Sequence, residues 1–412
     1  MKLFIKIILV FIVLNPIISE ACTTAVVSGK YTKSGRPMIW KNRDTWAVKN
    51  SVAYFKGDKF DYMGLINSAD TARRNVWIGM NSAGFAIMNS ASYNLNHESK
   101  EELSGLEGRL MKTALSVCGT LEDFENLLNS MQKPSGLEAN FGVIDAFGGA
   151  AYYEFGHNGF VKIDVNDPAI APFGYVIRAN YSNTGEIGIG SGYIRYNTSS
   201  DLFYQSASSE GLSAQFIEQD VAESLKHSLI KEDLKLKYGN LPENTSQYAH
   251  FRDFIPRSGS ASSVIIEGVK KDENPEFATM WSNIGFPLAS VVVPVWLKGG
   301  STIPEIVSYK TALKDSPICN AALVLKKEKI MNIRWGKSDK YYINVNALYN
   351  SDKSGIVQKL RPYDNHIYEL TNELIDKWRQ KGRVDKKEIS EFYEWLDRFV
   401  AKAYKDEFNI EM

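Results

Sequence analysis

The sequence predicts an α+β fold whose core is an antiparallel β-sheet. Segments with strand character come first, helical stretches follow, and strands then resume, an order typical of α+β proteins. Of the 412 residues, 44% are apolar and 23% are charged, so the chain is expected to bury a large core. No repeat or low-complexity linker divides the sequence. We therefore expect a single domain from residue 22 to residue 412.

Three β-hairpins are predicted in the first half of the chain. Residues 22–29 are rich in Thr and Val, which favour strands, and residues 36–44 return after a turn at 33–35. Residues 76–92 form the second hairpin, with its tip at residues 81–84. The third hairpin joins 141–145 to 150–154 across the sequence Phe147-Gly148-Gly149.

Helices are predicted at residues 106–117 and 121–131, where apolar residues recur at helical spacing and Thr120 can cap the second helix. A strand at 174–181 precedes a mainly helical region, 195–235. The remaining elements are strands at 262–269, 278–284 and 290–296, and two amphipathic helices that begin at about residue 367.

Residues 1–21 have the pattern of a signal peptide. Lys2 and Lys6 precede an apolar run, residues 7–14, and Ser19-Glu20-Ala21 has small residues where signal peptidase needs them. The run is shorter than the roughly 20 residues of a membrane span. We expect signal peptidase to remove this segment, so that Cys22 becomes the first residue of a secreted or periplasmic protein with no remaining span. The alternative is an uncleaved N-terminal anchor.

A cysteine directly after a signal peptide is also typical of bacterial lipoproteins. Their signal has a Leu-like residue three places before the cysteine and a small residue directly between. Ser19 and Glu20 occupy these places, so the match is poor. Lipidation would consume both the amine and the sulfur of Cys22, which makes a lipid-anchored binding protein the alternative to an enzyme.

Charge and composition exclude several function classes. Lys plus Arg and Asp plus Glu are equal at 48 each, whereas proteins that neutralise nucleic-acid phosphates usually have a basic excess. Three cysteines are too few for a disulfide scaffold or a cysteine zinc site. The five histidines form no HxH or HxxxH pair. No metal or other cofactor is predicted, and no nucleic-acid partner.

Cys22 at a mature N-terminus would carry a thiol and a free α-amine on one Cα. The pKa of an α-amine is about 8 and that of a thiol about 8.5. A neutral amine can therefore accept the thiol proton, directly or through one water, without a histidine. The thiolate would attack a carbonyl, form an acyl-enzyme, and pass the acyl group to water or to an amine.

Cys22-Thr23-Thr24-Ala25 followed by Asn42-Arg43-Asp44 resembles the N-terminal-nucleophile (Ntn) cysteine hydrolases of the isopenicillin N acyltransferase (acyl-CoA:6-aminopenicillanic acid acyltransferase) type. Choloylglycine hydrolases, penicillin V acylases and cysteine dipeptidases are relatives in that superfamily. Further segments resemble the family's motifs in the same order, over residues 22–294: Gly79-Met80-Asn81 through Gly84 to Asn89, Asn140-Phe141 to Asp145 with Gly148 and Glu154, Arg178-Ala179-Asn180-Tyr181, and Met280-Trp281 to Gly285-Phe286-Pro287.

The resemblance implies a four-layer αββα sandwich with two antiparallel sheets and C-terminal helices. It also implies that Cys22 is the nucleophile and that Asp44 holds the α-amine. Asn180 matches the side-chain amide donor of the oxyanion hole, and Asn89 a second residue near it. Each also has a plainer interpretation: a turn residue for Asp44, a surface turn or glycosylation sequon for Asn180, and hairpin hydrogen bonding for Asn89.

The cation that supports the thiolate is less clearly matched. The bile salt hydrolases have an arginine two residues before the motif Asn. In that column this chain has Lys41, three residues before Asp44, and its own Arg43 lies one residue before Asp44. Arg195 is the candidate for a later arginine of the family. Lys41 and Arg43 could instead be solvated strand charges, and Arg195 a structural residue at the start of a helix.

The expected function is that of an N-terminal-cysteine amidohydrolase or acyltransferase acting on small N-acyl amides or peptide-like substrates through a thioester. A cysteine dipeptidase of the same superfamily is the second candidate. The other cysteines have structural interpretations: Cys118 as a small buried residue, with pairing to Cys319 open in an oxidising compartment.

Overall fold

A computed structural model of the protein describes residues 21–96, 106–333, 336 and 340–412. Residues 1–20 of the predicted targeting segment therefore lie outside the described residues. The described α-helices are α1 (Glu107–Val117), α2 (Leu121–Ser130), α3 (Tyr193–Ala207), α4 (Ala214–Phe216), α5 (Leu234–Tyr238), α6 (Pro317–Leu325), α7 (Ile356–Lys381) and α8 (Lys386–Phe408). The described strands are β1 (Ala21–Val27), β2 (Met38–Asp44), β3 (Asn50–Phe55), β4 (Tyr62–Asn67), β5 (Ile78–Asn81), β6 (Ala86–Ala91), β7 (Ala139–Ile144), β8 (Ala150–Gly156), β9 (Gly159–Asp164), β10 (Tyr175–Arg178), β11 (Lys226–His227), β12 (Glu232–Asp233), β13 (Tyr248–His250), β14 (Ser260–Glu267), β15 (Thr279–Ile284), β16 (Val292–Val295) and β17 (Tyr342–Asn344).

Two large antiparallel sheets form the centre of the molecule. The first sheet has the order β10-β1-β2-β14-β15-β16, and the second has the order β3-β4-β5-β6-β7-β8-β9. Strands β1 and β2 pack on β6 and β7 of the second sheet, so the sheets lie face to face. Helices α1 and α2 cover the second sheet, while α3, α6 and α7 cover the first. The predicted α+β class and four-layer αββα order are confirmed.

The hairpin of β1 and β2 fixes the position of the predicted nucleophile. Residues 21–27 and 38–44 are buried throughout, and their antiparallel register opposes Cys22 to Arg43 and Ala21 to Asp44. Side chains alternate between the faces of a strand. Cys22, Arg43 and Lys41 therefore share the face toward the second sheet, and Asp44 lies on the opposite face, toward α3.

The helices that cover the second sheet form as predicted. Thr120 accepts a hydrogen bond from the backbone of Asp123, whose side chain bonds back to the Thr120 backbone, which is a capping box. Phe124 and Leu128 of α2 pack with Leu115 of α1 in a separate apolar cluster on the outer face of this sheet.

Two parts of the secondary structure differ from the prediction. Helix α7 begins at Ile356, so the expected start at about residue 367 was wrong. Pro362 lies inside the helix, where it removes one backbone hydrogen bond, and in a sequence a proline usually marks a helix boundary. Strands β3, β4 and β9 were not predicted. Between 195 and 235, the helices give way to the short pair β11 and β12.

Cys22, Cys118 and Cys319 are all free in the structure. Cys118 packs in the cluster outside the second sheet, whereas Cys319 packs in the main core. Burial raises the pKa of the Cys118 thiol to about 12 and that of Cys319 well above its ordinary value. Neither thiol is suited to form a thiolate near neutral pH. None of the described helices is both long enough and apolar enough to cross a membrane.

A group of buried carboxyls lies between α7 and the first sheet. Glu218 accepts hydrogen bonds from Ser263 (3.0 Å) and Asn283 (2.6 Å), and Asp364 accepts one from the backbone of Val292 (2.8 Å). Glu223 pairs with Arg361. Burial raises the pKa of Glu223 to about 8, that of Asp364 to about 7, and that of Glu218 well above its usual range.

These carboxyls should make the fold more stable in acid than in weak base. Because their folded-state pKa values are raised, the folded chain keeps protons that the unfolded chain has lost, and this stability disappears as pH rises through the folded values. We expect the free energy of unfolding to fall between about pH 5 and about pH 8, by up to about 1.4 kcal/mol per pH unit for each raised carboxyl. Denaturant titrations at both pH values measure this change in the free energy of unfolding.

Asp364→Asn keeps the acceptor for the Val292 amide and removes one titrating group. It should reduce the pH dependence. The matched control is Asp376→Asn, because Asp376 lies on the same helix with a side chain that is 67% exposed. Equal pH dependence in wild type and Asp364→Asn would show that the Asp364 carboxyl is not the source.

Candidate active site

Cys22 lies in an interior strand of the first sheet and is 7% exposed. Its backbone nitrogen donates to Asn180 Oδ1 (2.9 Å), and its carbonyl accepts from Arg195 Nη1 (2.7 Å). In this uncleaved chain the nitrogen belongs to the Ala21–Cys22 peptide, so it is an amide and not a base. The surroundings of the predicted mature N-terminus are therefore already assembled around an amide nitrogen.

Asn180 reaches Cys22 because β10 pairs with β1, with Arg178 opposite Thr24. Two backbone hydrogen bonds to Ser191 hold Asn180 just after the strand ends. Its Oδ1 accepts from Cys22 and from Arg195 Nη2 (3.0 Å), and its Nδ2 donates to the Ala91 carbonyl (3.0 Å). The side-chain oxygen thus faces Cys22, and one amide hydrogen bonds Ala91. Asn180 is fully buried, so the surface-turn interpretation was wrong.

Arg195 lies in the first turn of α3 and is 1% exposed. Besides Cys22 and Asn180, it donates to Thr23 Oγ1 (2.8 Å) and lies 4.0 Å from Asp44 Oδ2. Burial and the charge of Arg257 lower the pKa of Arg195 to about 10, against the effect of Asp44. The structure therefore brings Arg195 to the predicted nucleophile, although it is far from Cys22 in sequence.

Gly192, just before α3, makes this approach possible. Its φ is +89°, a conformation that favours glycine, and a Cβ there would lie 2.4 Å from Arg195 Nη2. A side chain at position 192 would displace the guanidinium from Cys22 and Asn180.

Asp44 ends β2 opposite Ala21 and is 1% exposed. Its carboxylate accepts from Arg257 Nε (2.7 Å), Ser260 Oγ (2.6 Å) and Asn42 Nδ2 (3.2 Å). The amide hydrogen of Cys22 goes to Asn180. Asp44 is therefore a neighbour of the predicted nucleophile in the full-length chain, and its hydrogen bonds go to other groups. Arg257 and Ser260 were not predicted, because no sequence pattern connects them with Asp44.

Lys41, Arg43 and Asn89 lie between the two sheets. Lys41 Nζ donates to Asn89 Oδ1 (2.6 Å) and to the Trp77 carbonyl (3.2 Å). The Arg43 guanidinium stacks 4.6 Å from the centre of the Trp77 ring and donates to Asn50 Oδ1 (2.8 Å). Lys41 and Arg43 are each 2% exposed, so the interpretation as solvated strand charges was wrong.

The seven predicted residues therefore form two connected groups. Asp44, Asn180 and Arg195 surround the backbone of Cys22 from the side of α3. The other group lies on the thiol face: Lys41, Arg43 and Asn89. Trp77 and Asn50, which contact this second group, were missed. A strand-end tryptophan gives no sequence signal that separates cation stacking from core packing.

Comparison with known proteins gives distant structural likenesses. No protein-family model matches the chain, and no curated protein matches its sequence. A variant of conjugated bile acid hydrolase from Clostridium perfringens is 12% identical, with a TM-score of 0.40 over 67% of this chain and 92% of that one. An N-acylethanolamine-hydrolyzing acid amidase ortholog from Caenorhabditis elegans is 11% identical, with a TM-score of 0.40 over 60% and 92%. Penicillin V acylase from Agrobacterium tumefaciens is 12% identical, with a TM-score of 0.35 over 67% and 86%.

These values are too low to assign an activity to this chain. Two of the three names belong to the classes that the motifs resemble, the bile salt hydrolases and the penicillin V acylases. None of the three is an isopenicillin N acyltransferase, so that part of the resemblance stays a prediction. The roles of the site residues depend on the geometry of this chain alone.

Arg195 should be a main source of stability as well as a site residue. Arg195→Met would leave the Cys22 carbonyl, Thr23 and Asn180 without a shared buried donor, and breaking such a network costs about 3 to 5 kcal/mol. Urea unfolding measures the loss. Arg398→Met is the matched control, because that side chain is 74% exposed, and it should change little. A similar small change in both variants would contradict the network.

Proposed function

We propose that the chain, once cleaved before Cys22, is a secreted or periplasmic N-terminal-nucleophile cysteine amidohydrolase or acyltransferase that acts on linear N-acyl amides. One observation carries the proposal. Cys22 is a buried strand residue that directly follows a predicted cleavage site. Its nitrogen donates to the side-chain oxygen of Asn180, and its carbonyl accepts from the buried Arg195. A nitrogen with a fixed acceptor is positioned to become an oriented α-amine.

The first half of the reaction forms a thioester. The α-amine of Cys22 takes the thiol proton, and the thiolate attacks the carbonyl carbon of the substrate amide. Negative charge collects on the former carbonyl oxygen. The ammonium of Cys22 then returns its proton to the leaving nitrogen, the C–N bond breaks, and the amine product departs.

The second half releases the acyl group. Water attacks the thioester carbonyl while the Cys22 amine takes its proton, and the collapsing intermediate expels the thiol and leaves a carboxylic acid. An amine in place of water gives acyl transfer. The proposal covers both hydrolysis and acyl transfer.

Two side-chain amides can stabilise the oxyanion. Asn89 accepts from Lys41 through Oδ1, which orients its amide nitrogen as a donor away from the lysine. Asn180 uses one amide hydrogen on the Ala91 carbonyl and has a second. A preorganised donor of this kind is typically worth about 10² to 10³ in rate.

The position of Cys22 also favours an enzyme over a lipid-anchored protein. Its side chain lies on the strand face that is packed against the second sheet, and only 7% of the residue is exposed. A diacylglyceryl group on that sulfur would have to leave the core. The cysteine dipeptidase remains the second enzymatic candidate, and a panel of dipeptides against N-acyl amides tests it.

Removal of residues 1–21 should switch the activity on. The amide nitrogen of the precursor cannot accept a proton, and Ala21, at 1% exposed, fills the strand position next to the nucleophile. Purified precursor and mature chain are compared on one panel of N-acyl amides and thioesters, with each N-terminus checked by mass spectrometry. We expect turnover by the mature chain only.

Cysteine variants complete this experiment. Cys22→Ala in the mature chain should abolish turnover and acyl-enzyme trapping, whereas Cys118→Ala and Cys319→Ala should retain both if they fold. Equal specific activity in uncleaved precursor, or full turnover by Cys22→Ala, would contradict the proposal. A mass increase from acyl-glyceryl on Cys22 would support the lipoprotein instead.

Asn180 can be tested for its donor role separately from its acceptor role. Asn180→Asp keeps an oxygen toward Cys22 and Arg195 but has no amide hydrogens, and Asn180→Ala loses both functions. We expect kcat to fall by about 10² to 10³ in each variant, because each lacks the oxyanion donor. If Asn180→Asp keeps wild-type kcat while Asn180→Ala does not, Asn180 acts only as an acceptor and the oxyanion role is wrong.

A further inference from the structure

Arg257 reaches the site from a loop that joins β13 to β14. Its Nε donates to Asp44 Oδ2 (2.7 Å), and its side chain is 21% exposed. Its backbone nitrogen donates to Ser260 Oγ (2.9 Å), which in turn donates to Asp44 Oδ1 (2.6 Å). The turn is closed by a bond from the Ser260 nitrogen to the Arg257 carbonyl (2.8 Å). Both oxygens of Asp44 are therefore bonded by one short turn.

Arg257, Asp44 and Arg195 form a row of alternating charges that ends at residue 22. Asp44 lies 2.7 Å from Arg257 and 4.0 Å from Arg195, and Arg195 bonds the Cys22 carbonyl. With two arginines on one carboxylate, the row has a positive excess. The two arginines also interact with each other, since the charge of Arg257 acts to lower the pKa of Arg195.

Other charges also act near Cys22. Arg43 is its cross-strand partner, and Lys41 lies two residues further along the same face. Asp253 lies on the same loop as Arg257, and its negative charge acts to raise the pKa of Arg195. Asp44 is the carboxylate beside Ala21, at the point where the α-amine forms after cleavage.

The balance of these charges matters to an amine that works as a base. An unperturbed α-amine has a pKa of about 8, so near neutral pH most of it is ammonium and cannot take a proton. A carboxylate next to the amine favours the ammonium, whereas a cation favours the neutral amine. Asp44 without Arg257 would therefore make Cys22 a weaker nucleophile near neutral pH.

We propose that Arg257 is a positioning residue of the active site, which holds the Asp44 carboxylate in place and offsets its charge, so that the N-terminal amine of Cys22 is a free base near neutral pH. This inference rests on the proposed function. The hydrogen bond of the Arg257 side chain goes to Asp44. Its effect passes through Asp44.

The test uses the acid limb of the kcat/KM–pH profile of the mature chain, which reports the base of the free enzyme. Arg257→Gln removes one positive charge and one Asp44 partner, and both changes favour the ammonium. We expect the limb to move to higher pH by about half to one unit. Arg257→Lys keeps the charge, so its limb should stay close to that of wild type.

Arg252→Gln is the matched control. Arg252 lies on the same loop, its side chain is 69% exposed, and it pairs with Asp253 at 3.8 Å. The substitution removes the same charge without touching Asp44, and its limb should not move. If Arg257→Gln lowers kcat/KM equally at every pH, or if Arg252→Gln shifts the limb as much, Arg257 has only a structural or a general charge effect and the proposal is overturned.

A second measurement needs no substrate. The rate at which iodoacetamide alkylates Cys22 follows the thiolate fraction, and the adjacent amine influences that fraction. The pH profile of this alkylation rate should shift in Arg257→Gln and not in Arg257→Lys or Arg252→Gln. If the alkylation profile shifts as expected but no N-acyl amide is turned over, the charge balance stands and the proposed function fails. If amides are turned over and neither profile shifts, the function stands and the role of Arg257 is refuted.

Discussion

The antiparallel pairing of β1 with both β2 and β10 is the constraint on which the site depends. Through β2 it sets Arg43 opposite Cys22 and Asp44 opposite Ala21. Through β10 it sets Arg178 opposite Thr24, so that the chain ends its strand with Asn180 beside Cys22. A register change of one residue would exchange the faces of every side chain in β1. The identity of the neighbours of Cys22 is therefore a property of the sheet ladder.

Burial of charge is the energetic cost of this arrangement. Asp44, Arg195, Lys41 and Arg43 are each no more than 2% exposed. Transfer of an ion into a protein interior costs several kcal/mol unless other groups replace its hydration. Each of these ions accordingly has hydrogen bonds at 2.6 to 2.8 Å, from or to groups on different strands, loops or α3. The network holds side chains in fixed directions before any substrate arrives, which is what electrostatic catalysis requires.

The same network bears on the proposed activation of the chain by cleavage before Cys22. In the uncleaved chain the Cys22 nitrogen already donates to Asn180, and its carbonyl already accepts from Arg195. Cleavage before Cys22 would convert that nitrogen from an amide to an amine and would empty the strand position of Ala21. In the proposed mechanism the fold supplies the orientation, and processing supplies the basicity. Under the proposal for Arg257, the charges of Asp44, Arg195 and Arg257 then determine how much of the amine is free base.

The sequence by itself determined the hairpin of β1 and β2, the capped helix α2 and the α+β class, because these follow from local propensity and turn residues. It also determined the choice of Cys22, because that residue directly follows the predicted signal peptide. It also named Asp44, Asn180 and Arg195, through motifs that resemble a family. Only the tertiary structure decided which atoms meet: that Asn180 presents its oxygen to Cys22, that Lys41 and Arg43 are buried on the thiol face, and that Arg257 holds Asp44 from more than two hundred residues away. Sequence patterns describe periodicity along one chain segment, whereas contacts between distant strands and loops leave no periodic pattern in the sequence.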